Sequence, residues 1–206
     1  MNEAVFLDRD GVINELIFNP KTGEYESPHF VKDFQLLPGV VESLGKLQEA
    51  GFLLFLISNQ PSYAKGKTTL EELRLIHEKL NSILKKNNIL FQEYFYCYHH
   101  PNGIVPEYTK KCECRKPGNY FIEKAKKDYG LDCKQSFIVG DCDTDVECGK
   151  KSGLTAILVK NKHSAAKQGR IYPDFQCNNL KEAVDLIVNL KYCLKDEGCH
   201  EKSKGS

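Results

Sequence analysis

The sequence predicts an α/β fold in which helices cover both faces of a central parallel β-sheet. Short apolar runs typical of buried strands alternate along the chain with longer amphipathic runs. Glycines stand where such helices are expected to end, at Gly51, Gly130 and Gly153. Strands and helices that alternate in this way favour a parallel sheet between two helical layers.

The individual elements follow in chain order. Five segments have the composition of buried strands: 4–8, 52–58, 94–97, 136–141 and 155–159. Five segments are predicted as helices: 39–51, 69–87, 119–130, 145–153 and 179–194. Because 206 residues are enough for one sizeable core, we expect a single domain over residues 1–195 and a polar C-terminal tail over 196–206.

Composition limits the kinds of partner that we expect. Charged residues make up 28% of the chain and the formal net charge is +1, which gives no general attraction to nucleic acid or anionic membranes. The longest strongly apolar run, residues 52–57, is too short to span a bilayer, and no secretory signal is visible. Nine cysteines, an odd number, then favour reduced thiols in a cytosolic protein.

Polar residues that end strands are the candidate functional residues, because ligands of open α/β sheets bind at the carboxyl ends of the strands. Asp8 and Asp10 end the first strand and can face one point, where two carboxylates need a cation or a proton. Gly11 permits a sharp turn directly after them. A turn or a helix cap would also explain this motif if it stood alone.

Four further polar residues occupy comparable positions. Ser58 ends the second strand, and Asp141 ends the strand predicted at 136–141. Asp145 stands at the start of a helix, and Lys116 precedes a proline that can open the next helix. Each has a structural explanation as a cap or a solvated charge, but their joint placement favours one functional site.

In chain order, the stretches DRDG, SNQ, RKP and GDCDTD resemble the four motifs of the haloacid dehalogenase superfamily of phosphohydrolases. The resemblance covers most of the chain and implies a Rossmann-like three-layer sandwich that hydrolyses phosphate monoesters. It implies that Asp8 attacks phosphorus and forms an aspartyl phosphate. Asp10 would protonate the leaving alcohol and then deprotonate the water that hydrolyses the intermediate.

The resemblance also implies a catalytic Mg²⁺ ion, which prefers oxygen ligands. Asp8, Asp141 and the backbone carbonyl of Asp10 would hold the ion. Asp145 would support the site from just outside the metal shell, and its direct ligation is an alternative.

A second metal site is predicted in the stretch CYHHPNGIVPEYTKKCECRKP. Cys97 and His99 share one face of an extended segment, and Cys112 and Cys114 repeat this spacing. Together they offer the Cys₃His ligand set of a tetrahedral zinc site. Four protein ligands leave no open position, so this Zn²⁺ would be structural rather than catalytic. Buried free cysteines beside a surface histidine are the alternative.

The Cys/His loop directly before RKP resembles the heptose 1,7-bisphosphate 7-phosphatases and the related histidinol-phosphate phosphatases. In the heptose group, the residues that match Arg115 and Lys116 contact the substrate and the phosphoryl group respectively. Ser58 and Lys116 would bind the nonbridging phosphoryl oxygens, while Asn59 and Gln60 would contact the substrate. The leading hypothesis is therefore removal of the 7-phosphate from the heptose bisphosphate, with histidinol phosphate or another small sugar phosphate as the alternative.

The stretches between the motifs are too short for a separate cap domain, so loops should wall the pocket: 14–31, 60–66 and the Cys/His loop. Loop 14–31 is longer than is usual after the first motif, and Cys142 stands where the heptose enzymes often have lysine. We expect a monomer that acts on a small phosphorylated sugar or similar metabolite, with no nucleic-acid or membrane partner.

Two other functions fit parts of this pattern. A phosphate-binding or zinc-stabilised interaction module without catalysis would be expected to lose Asp8 or Asp10, and both are present. A DNA 3′-phosphatase would need a basic groove, which the near-neutral composition does not indicate.

Overall fold

A six-stranded parallel sheet forms the centre of the molecule. The computed structural model describes residues 1–200. Its strands are β1 (Ala4–Leu7), β2 (Ile17–Asn19), β3 (Glu24–Glu26), β4 (Leu53–Asn59), β5 (Phe91–Cys97), β6 (Phe137–Gly140), β7 (Thr155–Val159) and β8 (Phe175–Cys177). The central sheet has the order β5-β4-β1-β6-β7-β8 with every neighbouring pair parallel, and β2 and β3 form a separate antiparallel hairpin.

Helices cover both faces of this sheet, as the sequence predicts. They are α1 (Val40–Glu49), α2 (Leu70–Lys86), α3 (Tyr120–Tyr129), α4 (Asp143–Lys151) and α5 (Leu180–His200). Side chains alternate along a strand, so Val5 and Leu7 of β1 join one core with α1, α2 and α5. Ala4 and Phe6 join the other core with α3 and α4. The three-layer α/β prediction is confirmed.

Helix α2 illustrates how local sequence produces these elements. Its buried side chains recur at three- and four-residue spacing and form one apolar stripe. The Thr69 hydroxyl accepts a hydrogen bond from the Glu72 amide at 3.1 Å and caps the helix. Acidic residues in the first turn and lysines in the last turn match the helix dipole.

The structure differs from the predicted elements in a few places. Strand β5 begins at Phe91, three residues before its predicted start, and α4 begins at Asp143 rather than at residue 145. Helix α5 continues to His200, beyond its predicted end near residue 194, and residues 201–206 of the predicted tail lie outside the described residues. None of the described helices is long and apolar enough to cross a membrane.

The segment predicted as loop 14–31 contains the β2–β3 hairpin. Its strands, IFN and EYE, are only three residues long, which is too short to show the apolar alternation by which a strand is recognised. The turn is closed by the Asn19 carbonyl, which accepts a hydrogen bond from the Gly23 amide at 2.9 Å. Within the described residues the hairpin is an addition to the sheet domain and not a separate cap domain.

Candidate active site

The carboxyl ends of β4, β1 and β6 lie side by side because these strands are neighbours in the sheet. A cavity of about 350 Å³ opens at this edge, in the position expected for ligands of such sheets. Seven predicted site residues line the cavity: Asp8, Asp10, Asn59, Arg115, Lys116, Asp141 and Asp145. The structure thus brings the predicted carboxylates and the lysine together.

Gly11 makes the close approach of two strand ends possible. Its φ is +88°, in the left-handed region that favours glycine. A Cβ atom at this position would lie 2.2 Å from Oδ2 of Asp141, so a side chain would displace that carboxylate. The turn is further held by Asn161, whose Nδ2 donates to the Gly11 carbonyl at 3.1 Å.

Lys116 is the cation at the centre of the site. Its Nζ lies 2.9 Å from Oδ1 of Asp8 and 2.5 Å from Oδ1 of Asp145, and it donates to the Ile57 carbonyl at 2.7 Å. Burial alone would lower the pKa of Lys116, but the two carboxylates outweigh burial and raise it. The ammonium therefore stays charged beside Asp8.

The backbone of Lys116 is fixed by Asn59. Oδ1 of Asn59 accepts from the Lys116 amide at 3.0 Å, and Nδ2 donates to the Lys116 carbonyl at 3.1 Å. Asn59 also lines the cavity, as its predicted substrate contact requires. This paired contact ties the end of β4 to the RKP motif.

The aspartates that line the cavity carry more negative charge than the neighbouring cations can neutralise. Burial, followed by neighbouring carboxylates, raises the pKa of Asp8 to about 7, although Lys116 opposes the shift. Burial and the charge of Asp145 raise the pKa of Asp141 to about 6. Oxygen donors that are crowded in this way fit Mg²⁺, which relieves their repulsion. The Cys142 thiol donates to Oδ1 of Asp141 at 3.1 Å.

Asp10 is held by a buried network that sequence analysis missed. The Arg9 Nη2 atom lies 2.9 Å from Oδ1 and 3.1 Å from Oδ2 of Asp10, and Asn14 Nδ2 donates to Oδ1 at 3.0 Å. Burial would raise the pKa of Asp10, but the charge of Arg9 and these hydrogen bonds lower it overall. The sequence does contain one indication of this network, because Arg9 stands between the two aspartates of DRDG.

Gln60 differs from its predicted role as a substrate contact. Its side chain is fully buried, and its Nε2 donates to Oδ2 of Asp10 at 2.5 Å and to Oγ of Ser58 at 2.9 Å. Its Oε1 accepts from Arg9 at 2.9 Å. Gln60 is therefore placed to orient Asp10 and Ser58 from behind, because its amide is already fully engaged. Ser58 is itself buried at the end of β4.

The four predicted zinc ligands converge. The Sγ atoms of Cys97, Cys112 and Cys114 lie 3.3 to 3.5 Å apart, and Nδ1 of His99 lies 3.5 Å from Cys114 Sγ and 3.9 Å from Cys97 Sγ. Zn–S bonds of 2.3 Å at tetrahedral angles place sulfur atoms roughly 3.7 Å apart, which is close to these distances. Burial raises the pKa of the Cys97 thiol, so a thiolate there needs a cation. The cluster fits zinc.

The β2–β3 hairpin and two loops wall the cavity, as predicted for segments 14–31, 60–66 and the Cys/His loop. Lys67 lies 2.5 Å from Glu26 and ties the hairpin to the loop after β4. The Tyr25 ring packs 3.6 Å from the His163 ring, so the hairpin also contacts the loop after β7. The hairpin therefore crosses the mouth of the site and is held on both sides.

Comparisons with known proteins agree with this architecture. A family described as HAD-hydrolase-like matches residues 113–183. The solved D,D-heptose 1,7-bisphosphate phosphatase of B. bronchiseptica, complexed with magnesium and phosphate, superposes with a TM-score of 0.76 at 23% identity. The match covers 91% of this chain and 98% of that one, and at this identity it establishes the fold.

Curated relatives extend the likeness to sequence. The D-glycero-D-manno-heptose-1,7-bisphosphate 7-phosphatase of Chlorobaculum tepidum is 36% identical over 88% of this chain and 92% of its own length. The D-glycero-alpha-D-manno-heptose-1,7-bisphosphate 7-phosphatase of Photorhabdus laumondii is 34% identical over 80% of this chain and 86% of its own. The chain therefore belongs to the haloacid dehalogenase-like phosphatases, in the group that contains these enzymes.

Proposed function

We propose that the protein removes the 7-phosphate of D-glycero-D-manno-heptose 1,7-bisphosphate through an aspartyl-phosphate intermediate on Asp8. The observation that carries this proposal is the buried Lys116, which lies within 3 Å of Asp8 and Asp145 in a cavity lined by two more aspartates. The names of the relatives support the choice of substrate. The expected ligands Asp8, Asp141 and the Asp10 carbonyl would hold Mg²⁺, which when bound neutralises the phosphoryl oxygens.

In the first step Oδ of Asp8 attacks phosphorus, and the bond from phosphorus to the sugar oxygen breaks. Lys116 offsets the charge on the nonbridging oxygens, and the Ser58 hydroxyl donates a hydrogen bond to one of them. Asp10 gives its proton to the departing sugar oxygen. Although its neighbours lower the pKa of Asp10, entry of a dianionic phosphate beside it opposes that shift by like-charge repulsion.

In the second step Asp10 takes a proton from water, and the water oxygen attacks the aspartyl phosphate. The bond between phosphorus and Asp8 breaks, which releases inorganic phosphate and regenerates the carboxylate. Once Asp10 has given up its proton, its lowered pKa keeps it deprotonated until this step. Arg9 and Gln60 keep its carboxylate in place between the two steps.

The remaining components of the proposal concern the rest of the molecule. Residues 1–195 form one catalytic domain, and the protein acts as a cytoplasmic monomer on a small phosphorylated sugar rather than on nucleic acid or at a membrane. Zn²⁺ in the cluster of Cys97, His99, Cys112 and Cys114 is structural. Because Cys114 is bonded to Arg115, a metal bound by these ligands would fix the start of the RKP motif.

Histidinol phosphate is the second candidate substrate. Glu24 and Glu26 of the hairpin line the cavity, and carboxylates there would favour a substrate that carries an ammonium group. Lys65 and Arg115 line the same cavity and favour a second anionic group instead.

A substrate panel tests the proposed function. Phosphate release is measured from the α- and β-anomers of heptose 1,7-bisphosphate and from histidinol phosphate, each with Mg²⁺ and with a chelator. We expect the highest kcat/KM on a heptose bisphosphate and no turnover without Mg²⁺. A higher kcat/KM on histidinol phosphate would replace the leading substrate by the second candidate.

The nucleophile is tested by Asp8→Asn. We expect kcat to fall at least about 10³-fold, because an amide cannot form the covalent intermediate. Asp128→Asn, on the exposed face of α3, is the matched control and should keep its rate. Rapid quenching followed by mass spectrometry should find phosphate on the peptide that contains Asp8. Activity that survives Asp8→Asn would refute the assignment.

A further inference from the structure

The end of β6 carries a buried carbonyl group that the sheet does not satisfy. Asp141 directly follows β6 and is 2% exposed. The ladder between β6 and β7 ends at the pair of Gly140 and Leu158. Among the main-chain amides of the described residues, none donates to the Asp141 carbonyl. Because a buried carbonyl needs a hydrogen-bond donor, this group depends on side chains.

Two side chains from the loop of residues 160–170, which follows β7, supply the donors. The Gln168 Nε2 atom lies 2.7 Å from the Asp141 carbonyl oxygen, and the Ser164 hydroxyl lies 3.1 Å from it. The same Gln168 amide donates to the Val159 carbonyl, at the end of β7, at 3.2 Å. Gln168 therefore joins the ends of β6 and β7 beyond the last main-chain pair.

The 160–170 loop is itself anchored at both ends. The Asp143 carboxylate, in the first turn of α4, accepts from the amides of Gly169 and Arg170 at 3.0 and 2.9 Å. Near the start of the loop, Asn161 donates to the Gly11 carbonyl at 3.1 Å. The loop therefore connects the start of α4 with the turn after the first motif, and both anchors lie beside the candidate metal site.

The contacts of Gln168 and Ser164 affect the site through Asp141 alone. Neither side chain lines the cavity, so neither contacts a substrate bound there. Hydrogen bonds to the Asp141 carbonyl fix the orientation of its peptide group, and the backbone of a residue determines the direction in which its side chain leaves. The two donors therefore help to determine where the Asp141 carboxylate points.

We propose that Gln168 and Ser164 are positioning residues for Asp141 and that they set the affinity of the site for Mg²⁺. The inference rests on the proposed function, in which Asp141 is a ligand of the ion. Residues that hold a metal ligand in its binding orientation typically contribute about 10- to 100-fold to metal affinity. Neither residue belongs to the four sequence motifs, so the motifs alone do not indicate this role.

The test measures the dissociation constant of Mg²⁺ by calorimetry at pH 8, where Asp8 and Asp141 are largely deprotonated. We expect Gln168→Met, which preserves side-chain length and removes the donor, to raise this constant about 10- to 100-fold. Ser164→Ala is the milder second variant and should raise it about 3- to 10-fold, because Gln168 still donates to the carbonyl. At saturating Mg²⁺, kcat and the KM of the substrate should stay within about 3-fold of the wild type.

Gln176→Met is the matched control, because Gln176 is exposed on β8 and the substitution is the same. It should keep the dissociation constant of the wild type. Melting temperatures without Mg²⁺ separate positioning from a general loss of stability. A lower melting temperature in Gln168→Met with an unchanged dissociation constant would show a purely structural role and would overturn the inference.

Metal binding can be measured without turnover, which separates this inference from the proposed function. If the wild type binds Mg²⁺ but does not hydrolyse heptose bisphosphate, the proposed function fails, and the dissociation constants of the variants still decide the inference. Wild-type constants in both Gln168→Met and Ser164→Ala would overturn the inference and leave the proposed function intact. A wild type that binds no Mg²⁺ would overturn both.

Discussion

At the scale of single residues, the two aspartates of the first motif lie in contrasting environments. Burial, together with neighbouring carboxylates, raises the pKa of Asp8 to about 7, although Lys116 opposes the shift. Asp10 lies against Arg9, Asn14 and Gln60, and its pKa is lowered. The sequence predicts the pair from its position after a strand. It could not predict the environments, because Gln60 reaches Asp10 only once β4 lies beside β1.

The contact between Gln60 and Asp10 leads to a prediction for Gln60→Met, which preserves side-chain length and removes the hydrogen bonds. We expect kcat to fall about 10- to 100-fold with KM changed less than about 3-fold, because Asp10 loses its orientation while the substrate loses no contact. Gln135→Met, remote from the cavity, is the control. A rise in KM without a fall in kcat would instead support a direct contact with the substrate.

The raised pKa values of Asp8 and Asp141 predict how Mg²⁺ binding depends on pH. Both groups hold protons below about pH 6 to 7 in the metal-free protein, and Mg²⁺ binds the carboxylates only after those protons leave. The dissociation constant of Mg²⁺ should therefore rise about 25-fold as the pH falls from 6.5 to 5.5, because two protons compete with the ion. Titrations followed by the melting temperature should show more stabilisation by Mg²⁺ at pH 8 than at pH 5.5. Equal stabilisation at both pH values would contradict the proposal that Asp8 and Asp141 bind Mg²⁺.

At the scale of elements, the Cys/His cluster and the hairpin differ in how far the sequence predicts them. The Cys/His ligands form two short pairs with the same spacing, and this local signal is sufficient to name all four. The hairpin has no comparable signal, since its stability depends on contacts outside itself. Glu26 binds Lys67, and Tyr25 packs on His163, and both partners are distant in sequence.

The proposed effect of zinc on the position of the Lys116 side chain is tested by Cys112→Ser. We expect the variant to lose its bound zinc and, because Arg115 and Lys116 follow the last ligand directly, to lose at least about 10-fold in kcat/KM. Cys133→Ser is the matched control, since Cys133 lies outside the cluster. Metal content by mass spectrometry and phosphate release are measured on the same samples. Full activity without zinc would exclude the coupling.

At the scale of the whole molecule, the alternation of strands and helices predicts a parallel sheet but not its strand order. The order places β1 between β4 and β6, and that placement brings the three functional strand ends together. Nothing local in β1 encodes this neighbourhood, because Val5 and Phe6 meet their partners only in the folded sheet. The sequence does not predict strand β8 either. Cys177 is its one buried residue, so the strand has no apolar run by which it could be recognised.

The approach of β1 to β6 is tested by Gly11→Ala. The new Cβ would meet the Asp141 carboxylate, so we expect the affinity for Mg²⁺ to fall at least about 10-fold, beyond a backbone cost of about 1 to 2 kcal/mol. Gly39→Ala is the matched control, because Gly39 has a similar φ of +73° and no atom within 4 Å of its Cβ position. It should lose stability and keep its Mg²⁺ affinity. The same Mg²⁺ affinity in both variants would contradict the predicted clash.

The central position of β1 also affects when the enzyme can first work during its synthesis. Asp8 leaves the ribosome before Asp141, which follows more than 130 residues later. At roughly 5 to 20 residues per second, synthesis of the segment between these two aspartates takes on the order of 10 s. Until β6 joins β1, the nascent chain lacks Asp141, one of the proposed Mg²⁺ ligands. We therefore expect a ribosome-bound chain that ends before β6 to have no phosphatase activity.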